Sequence, residues 1–180
     1  MLRRTFLHRA GILGGITLIP SWLLYSCSYV PKTRVSIEDV ELSFLDDIGE
    51  TIIPATDDIP GAKAARIGEY MIVMVKDCFR DEQKNLFIDG LNDLDQKCAT
   101  QYNRPFQQLA PDQKFEFLGR LQEEALNTEE KHYFDIFRSL TISGYFTSEI
   151  GMVRARAYEP IPGRYIACMP LEEGQKPWAI

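Results

Sequence analysis

The chain has 180 residues, 45% of them hydrophobic, with 20 Lys and Arg against 26 Asp and Glu and a formal net charge of −6 at pH 7. An acidic balance without a basic run or Arg-aromatic interleaving argues against nucleic acid as a partner. The length is that of one domain with a continuous core.

The first stretch, Met1 to Cys27, opens Arg3-Arg4-Thr5-Phe6-Leu7-His8-Arg9 and has no acidic residue before Glu38. This is the twin-arginine form of an export n-region, with Arg3, Arg4, Phe6 and Leu7 as its signal residues. The uncharged run Ala10 to Leu24 is broken by Gly11, Gly14, Gly15 and Pro20. It is short for a hydrocarbon core roughly 30 Å thick, so it reads as a signal h-region rather than an anchor. The leader ends Leu24-Tyr25-Ser26-Cys27, which resembles a lipoprotein box with Cys27 as the acylated residue, although Tyr25 is bulkier than usual there. Each buried acyl methylene would contribute about 0.8 kcal/mol of membrane affinity. The alternative is cleavage nearby with Cys27 free or disulfide-bonded. Export by this route predicts a periplasmic, membrane-tethered protein. Removing residues 1–26 leaves 154 residues with 17 basic and 26 acidic side chains, a charge of −9.

Residues 27–36 carry Pro31 and two positive charges and read as a linker, with a single domain from 37 to 180. From Asp39 to Ile53 apolar residues recur at three- and four-residue intervals, predicting an amphipathic helix stopped by Pro54. The opposite face carries Glu41, Asp46, Asp47 and Glu50, and Asp46, Asp47, Glu50, Asp57 and Asp58 form an acidic cluster expected to be solvated. Asp57-Asp58-Ile59-Pro60-Gly61 has turn chemistry throughout. A second helix is expected over Ala62 to Phe79, where Gly68 permits close packing, and a third over Asp81 to Tyr102, burying Leu86, Phe87, Leu91, Leu94 and Cys98. Pro111 and Asp112 favour the start of a fourth helix reaching Leu126, with Phe115, Leu118, Leu121 and Leu126 inward. The fifth, Glu129 to Ile150, carries an aromatic stripe, Tyr133, Phe134, Phe137, Tyr145 and Phe146, that is expected in the core. Beyond Gly151, Pro160, Pro162, Gly163, Pro170, Gly174 and Pro177 rule out long regular structure. The apolar residues among them are too many for a disordered tail. The fold class is therefore all-α, a bundle of about five helices with an irregular but ordered Pro/Gly-rich C-terminal strap.

No Gly-rich nucleotide loop and no GxSxG elbow is present, so flavin or nicotinamide binding by this chain is not expected. CxxC and CxxCH are also absent. With Cys27 acylated, Cys78, Cys98 and Cys168 form an odd set that permits one disulfide, more easily between Cys168 and one of the others than between Cys78 and Cys98. After the leader His132 is the sole histidine, placed in the charged run Glu129-Glu130-Lys131-His132 where solvation is expected. The acidic cluster lacks a spaced calcium loop. No catalytic, cofactor-binding or metal-binding residue is assigned, and the composition reads as an interaction subunit.

Asp47-Ile48-Gly49-Glu50-Thr51-Ile52-Ile53-Pro54-Ala55-Thr56-Asp57, then Pro60-Gly61-Ala62, and above all Phe137 to Gly151 continuing through Tyr158-Glu159-Pro160-Ile161-Pro162-Gly163-Arg164-Tyr165, resemble the gluconate 2-dehydrogenase subunit 3 family. The likeness covers about Phe44 to Leu171 and is most distinctive from Thr141 to Gly163. The resemblance implies the small subunit of a membrane-associated sugar or sugar-acid dehydrogenase, whose large subunit carries FAD and whose cytochrome c subunit carries haem. It also implies an escort of the flavin subunit through export, and it supplies no catalytic residue to this chain. Partner contacts are then expected at Tyr145, Phe146, Tyr158, Pro160, Pro162, Tyr165 and Trp178, with the membrane reached through the lipid or the partner. The competing reading is a freestanding periplasmic lipoprotein that holds a ligand or an envelope protein. A hydrolase or metal enzyme built on the acidic cluster and His132 is the third.

Overall fold

A computed structural model describes residues 36–161, 163 and 167–179, all within the second of the two units into which the chain divides, Pro31–Ile180. The signal residues Arg3, Arg4, Phe6 and Leu7, the lipidation candidate Cys27, and the contacts Pro162 and Tyr165 lie outside the described residues. The described body is all-α, with helices α1 (Leu42–Ile52), α2 (Ile67–Cys78), α3 (Asp81–Tyr102), α4 (Pro111–Leu126) and α5 (Tyr133–Thr147). A short 3₁₀ turn, Phe106–Gln108, precedes α4, and a π turn, Gly151–Ala155, follows α5. Two strands of two residues each, β1 (Ala157–Tyr158) and β2 (Trp178–Ala179), pair in parallel in the strap.

The bundle is arranged around α5, which packs on each of the other four helices. Its aromatic stripe makes this possible. Tyr133, Phe134, Phe137, Leu140 and Tyr145 are buried, and the Phe87 and Phe137 rings meet edge to face with centroids 5.2 Å apart. Glycines set the closest approaches. At Gly90 of α3 a β-carbon would overlap the Tyr133 side chain, and at Gly144 of α5 it would lie 2.5 Å from the Tyr70 ring of α2. Phe106 seals the bottom of the core between Phe44 and Phe117, each about 6.1 Å away.

The helix starts depart from the periodicity. Residues 62–66 form turns, and α2 begins only at Ile67 because Arg66 adopts a left-handed conformation with φ 56°. Lys97 and Asp93 of α3 lie on its polar side with Glu124 of α4. In α5 the helix begins at Tyr133 rather than Glu129, because His132 is its cap: the ring Nδ1 accepts the Phe134 N–H at 3.2 Å. His132 is thus half-buried and stacked against Tyr133, 4.2 Å between ring centroids, rather than solvated.

In α4 the expected inward set is corrected. Leu118 and Leu121 are buried, but their partners are Phe117 and Ala125, whereas Phe115 and Leu126 are 71% and 73% exposed. At roughly 100° per residue, Phe117, Leu118, Leu121 and Ala125 span one arc, and Phe115 and Leu126 fall together on the other side.

Cys78 and Cys168 are exposed and Cys98 is buried in α3, all three unpaired. The disulfide that the odd set permits is not formed among them, Cys98 lying inside the core and Cys78 and Cys168 on the surface. Burial, with Asp95 nearby, pushes the Cys98 thiol up to about 12.

Candidate functional site: an acidic latch and an apolar strap

The acidic residues of α1 are not a solvated face. Glu50 turns its carboxylate under the loop that follows, Oε1 accepting the Ala55 N–H at 2.9 Å and Oε2 the Lys63 N–H at 2.8 Å. Gly61 lies on the same carboxylate, leaving no space for a β-carbon. One turn earlier, Asp46 Oδ1 accepts the Gly68 N–H at 2.7 Å. That amide belongs to the first turn of α2, where unpaired donors and the positive helix end favour an anion. Gly68 is needed there because a β-carbon would stand 2.7 Å from the Leu42 carbonyl oxygen. Asp47, between them, pairs with the Lys63 and Lys114 ammoniums at 2.8 Å each. Burial raises its carboxyl, but the two lysines outweigh that and hold it below the ordinary carboxylate value. The same contact, first through the Asp47 hydrogen bond and then its charge, raises Lys63.

The loop is closed from the other side by α5. Tyr145 donates its hydroxyl to the Pro60 carbonyl at 2.7 Å, and burial followed by the Glu50 charge raises its phenol. Asp57 and Asp58 remain exposed at the loop tip. The oxygens of Asp46, Asp47 and Glu50 are thus engaged by amides and ammoniums of the fold itself. Among the described residues no group of three or more His, Cys, Asp or Glu is placed to hold a metal ion. No described helix is long and apolar enough to cross a membrane.

The strap begins where Ser148 ends α5. Its Oγ donates to the Tyr145 carbonyl at 2.6 Å and accepts the Gly151 N–H at 3.1 Å. Gly151 sits so close to that carbonyl that any larger residue would overlap it, and the chain turns there into the π segment. The far end of the strap then returns. Ala157 N–H donates to Pro177 O and Glu159 N–H to Ala179 O, both at 2.9 Å. Lys176 Nζ donates to Arg154 O at 2.6 Å, and Arg154 Nη2 reaches Asp58 O at 3.3 Å. Ala179 is buried by this closure. The described strap residues thus return to the π turn, and the parallel strand pair is a feature the Pro/Gly content of this stretch concealed.

The contact residues expected from the sequence fall into two groups. Tyr158, Pro160 and Trp178 are exposed on the strap, and Phe146 is half-buried, edge-on to Tyr145 and with the Arg156 guanidinium 5.3 Å over its ring. Tyr145 is instead a core residue, 2% exposed, and cannot offer its ring to a partner. Sequence reasoning missed the exposed Ile142 and Val153, which interrupt no pattern and are visible only once the buried arc of α5 and the π turn are known.

Another polar cluster lies between α3 and α5. Tyr133 donates its hydroxyl to Asp93 at 2.6 Å, and burial and then this hydrogen bond raise the phenol. Lys97 joins Asp93 to Glu124 across to α4, so the cluster ties helices together.

No curated protein and no solved structure matches the chain. The family model described as Gluconate 2-dehydrogenase subunit 3 matches residues 39–163, a span that takes in the α1 latch, all of α5 and the π turn. With more than two-thirds of its length inside that match, the chain belongs to the gluconate 2-dehydrogenase subunit 3 family.

Proposed function

We propose that this chain is the non-catalytic small subunit of a periplasmic, membrane-associated, flavin-dependent sugar or sugar-acid dehydrogenase. In this reading the large subunit holds FAD and oxidises the substrate, and a cytochrome c subunit with haem takes the electrons. The chain supplies the twin-arginine signal of Arg3, Arg4, Phe6 and Leu7 for the assembled pair, and Cys27 tethers it by lipid. The observation that carries the reading is the family match over residues 39–163, since the family is named for a third subunit of a dehydrogenase. The latch adds support. The carboxylates of Asp46, Asp47 and Glu50 are occupied by backbone amides and lysines, which suits a scaffold.

The test is to express the chain with and without the flavin subunit and to follow both proteins into the periplasm. The flavin subunit is expected to arrive only with this chain, and replacing Arg3 and Arg4 by Lys is expected to strand both inside. Sugar oxidation by the isolated chain would overturn the non-catalytic role. Its export as a monomer, with the flavin subunit reaching the periplasm alone, would favour the freestanding lipoprotein.

A further inference from the structure

The helix around which the bundle is arranged starts on a titratable group. His132 Nδ1 accepts the Phe134 N–H at 3.2 Å, so in the neutral ring the proton sits on Nε2. Ser, Thr and Asn, common caps, do not titrate near neutral pH. Imidazole is the side chain whose ordinary titration falls between about pH 5 and about pH 8, and Nδ1 can accept only while unprotonated. A proton there would set two donors face to face and put a positive charge at the positive end of α5. The half-buried ring has another place to turn. It lines a surface cleft with Arg120, Glu123, Glu124, Asn127 and Thr128. Glu124 is already paired with Lys97, and Arg120 with Glu116 and the Tyr102 hydroxyl. Glu123 is exposed and makes no ion pair among the described residues. On the α3 side Asp93 and Lys97 meet beside Tyr133, while Glu129, Glu130 and Lys131 precede the ring and Asp135 follows it. An imidazolium released from the amide therefore meets mainly negative charge.

We infer that His132 is a proton-operated clasp on α5. Neutral, it caps the helix through Phe134; protonated, it lets go of that amide, turns into the cleft to pair with Glu123, and frees the first turn. The effect reaches past the cap, because Tyr133, stacked on His132 and bonded to Asp93, joins α5 to α3. The inference stands on the start of α5 and does not depend on the subunit role proposed above.

Amide hydrogen exchange of the full chain, followed residue by residue from about pH 8 to about pH 5 and normalised to the intrinsic rate at each pH, reads the clasp directly. Protection of Phe134 and Asp135 is expected to fall about fivefold toward the acid end, as on loss of a helix cap. Leu91 and Leu94 in α3 are expected to hold theirs. His132→Asn, which caps without titrating, should keep protection flat, and His132→Ala should show the lowered protection at every pH. Glu123→Gln should move the parent's step to lower pH. The ring's nitrogen chemical shifts give a second reading, with Nε2 protonated and Nδ1 bare at the alkaline end. A parent profile without a step, a step that survives in His132→Asn, a loss shared equally by α3, or a neutral ring protonated on Nδ1 would overturn the clasp. A step that Glu123→Gln leaves in place would overturn the handover to the cleft.

Discussion

Residues 36–132 and residues 133–179 solve different problems with different chemistry. The first part is acidic and ties its charges inward: Asp46, Asp47 and Glu50 fix the 54–63 loop and the start of α2 through amides and lysines. The second part turns its aromatics into the core along α5 and leaves aliphatic side chains in water beyond it. Directed polar bonds can order a loop that has too little apolar surface to order itself, because each buried acceptor left unmet would cost more than a made one contributes. Exposed apolar groups order nothing, and their concentration on one part of a folded chain marks a surface kept for something else.

The comparison can be broken first where the two parts meet. Gly90→Ala would drive a β-carbon into the Tyr133 side chain, and α3 and α5 would have to separate. Overpacking of this kind costs about 3 kcal/mol, read as a fall in the urea midpoint. The same change at Gly119, where nothing lies within reach, is expected to be neutral or slightly stabilising.

Next in size is the latch. Asp47→Asn removes the charge shared by Lys63 and Lys114 and leaves Lys114, 16% exposed, without its ion-pair partner. A loss of about 2 kcal/mol is expected, as for hydrogen bonds to charged groups. Because the folded Asp47 carboxyl titrates below its unfolded value, it stabilises the fold above that unfolded value, about 3.9. The stabilisation is lost as pH falls through the depressed folded value. Parent and variant should therefore differ most near neutral pH and converge in strong acid, in denaturant titrations at each pH. A gap that widened with acid would refute the latch.

Tyr145→Phe is a smaller probe of the same loop. Losing the bond to the Pro60 carbonyl is expected to cost about 1 kcal/mol, with faster amide exchange confined to residues 54–63. The thiols give a qualitative check that needs no mutation. Cys78 and Cys168 should be alkylated readily in the folded chain, and buried Cys98 only on unfolding, as followed by mass spectrometry.

Much of the bundle was legible because its signals are local. Pro111 starts α4, Pro54 lies just beyond the end of α1, and α3 spans the residues its apolar spacing marks. The latch was not legible, because its donors come from 13, 16, 22 and 67 residues away and nothing near Asp46, Asp47 or Glu50 distinguishes a bound carboxylate from a solvated one. The α2 start was concealed for a similar reason: Ala62 to Arg66 has helix-forming composition, and only the left-handed Arg66 interrupts it. Among the contact candidates, Tyr158, Pro160 and Trp178 were recognised as exposed from apolar content amid Pro and Gly. Tyr145 was not separable from them, since its burial depends on a carbonyl 85 residues earlier.

The smallest expected effects, at Phe115 and Leu126 with buried Leu118 as the large-effect control, are the sharpest on the α4 correction. Three apolar residues of α4, Phe115, Leu118 and Leu126, look alike in sequence, yet Leu118 is 4% exposed and the other two are largely in water. Leu118→Ala is expected to cost about 2–5 kcal/mol, the transfer of its methyl groups plus the cavity left behind. Phe115→Ser and Leu126→Ser should each stay within about 0.5 kcal/mol of the parent. Thermal melts of the three variants decide it, because a helix rotated by about 100° would bury Phe115 and Leu126 and make their replacement by Ser costly too, with Leu118 still inward. Since both exposed positions lie in the acidic part of the chain, their neutrality would also show that an isolated apolar side chain there is incidental. The cluster beyond α5 would then be the one that calls for a partner.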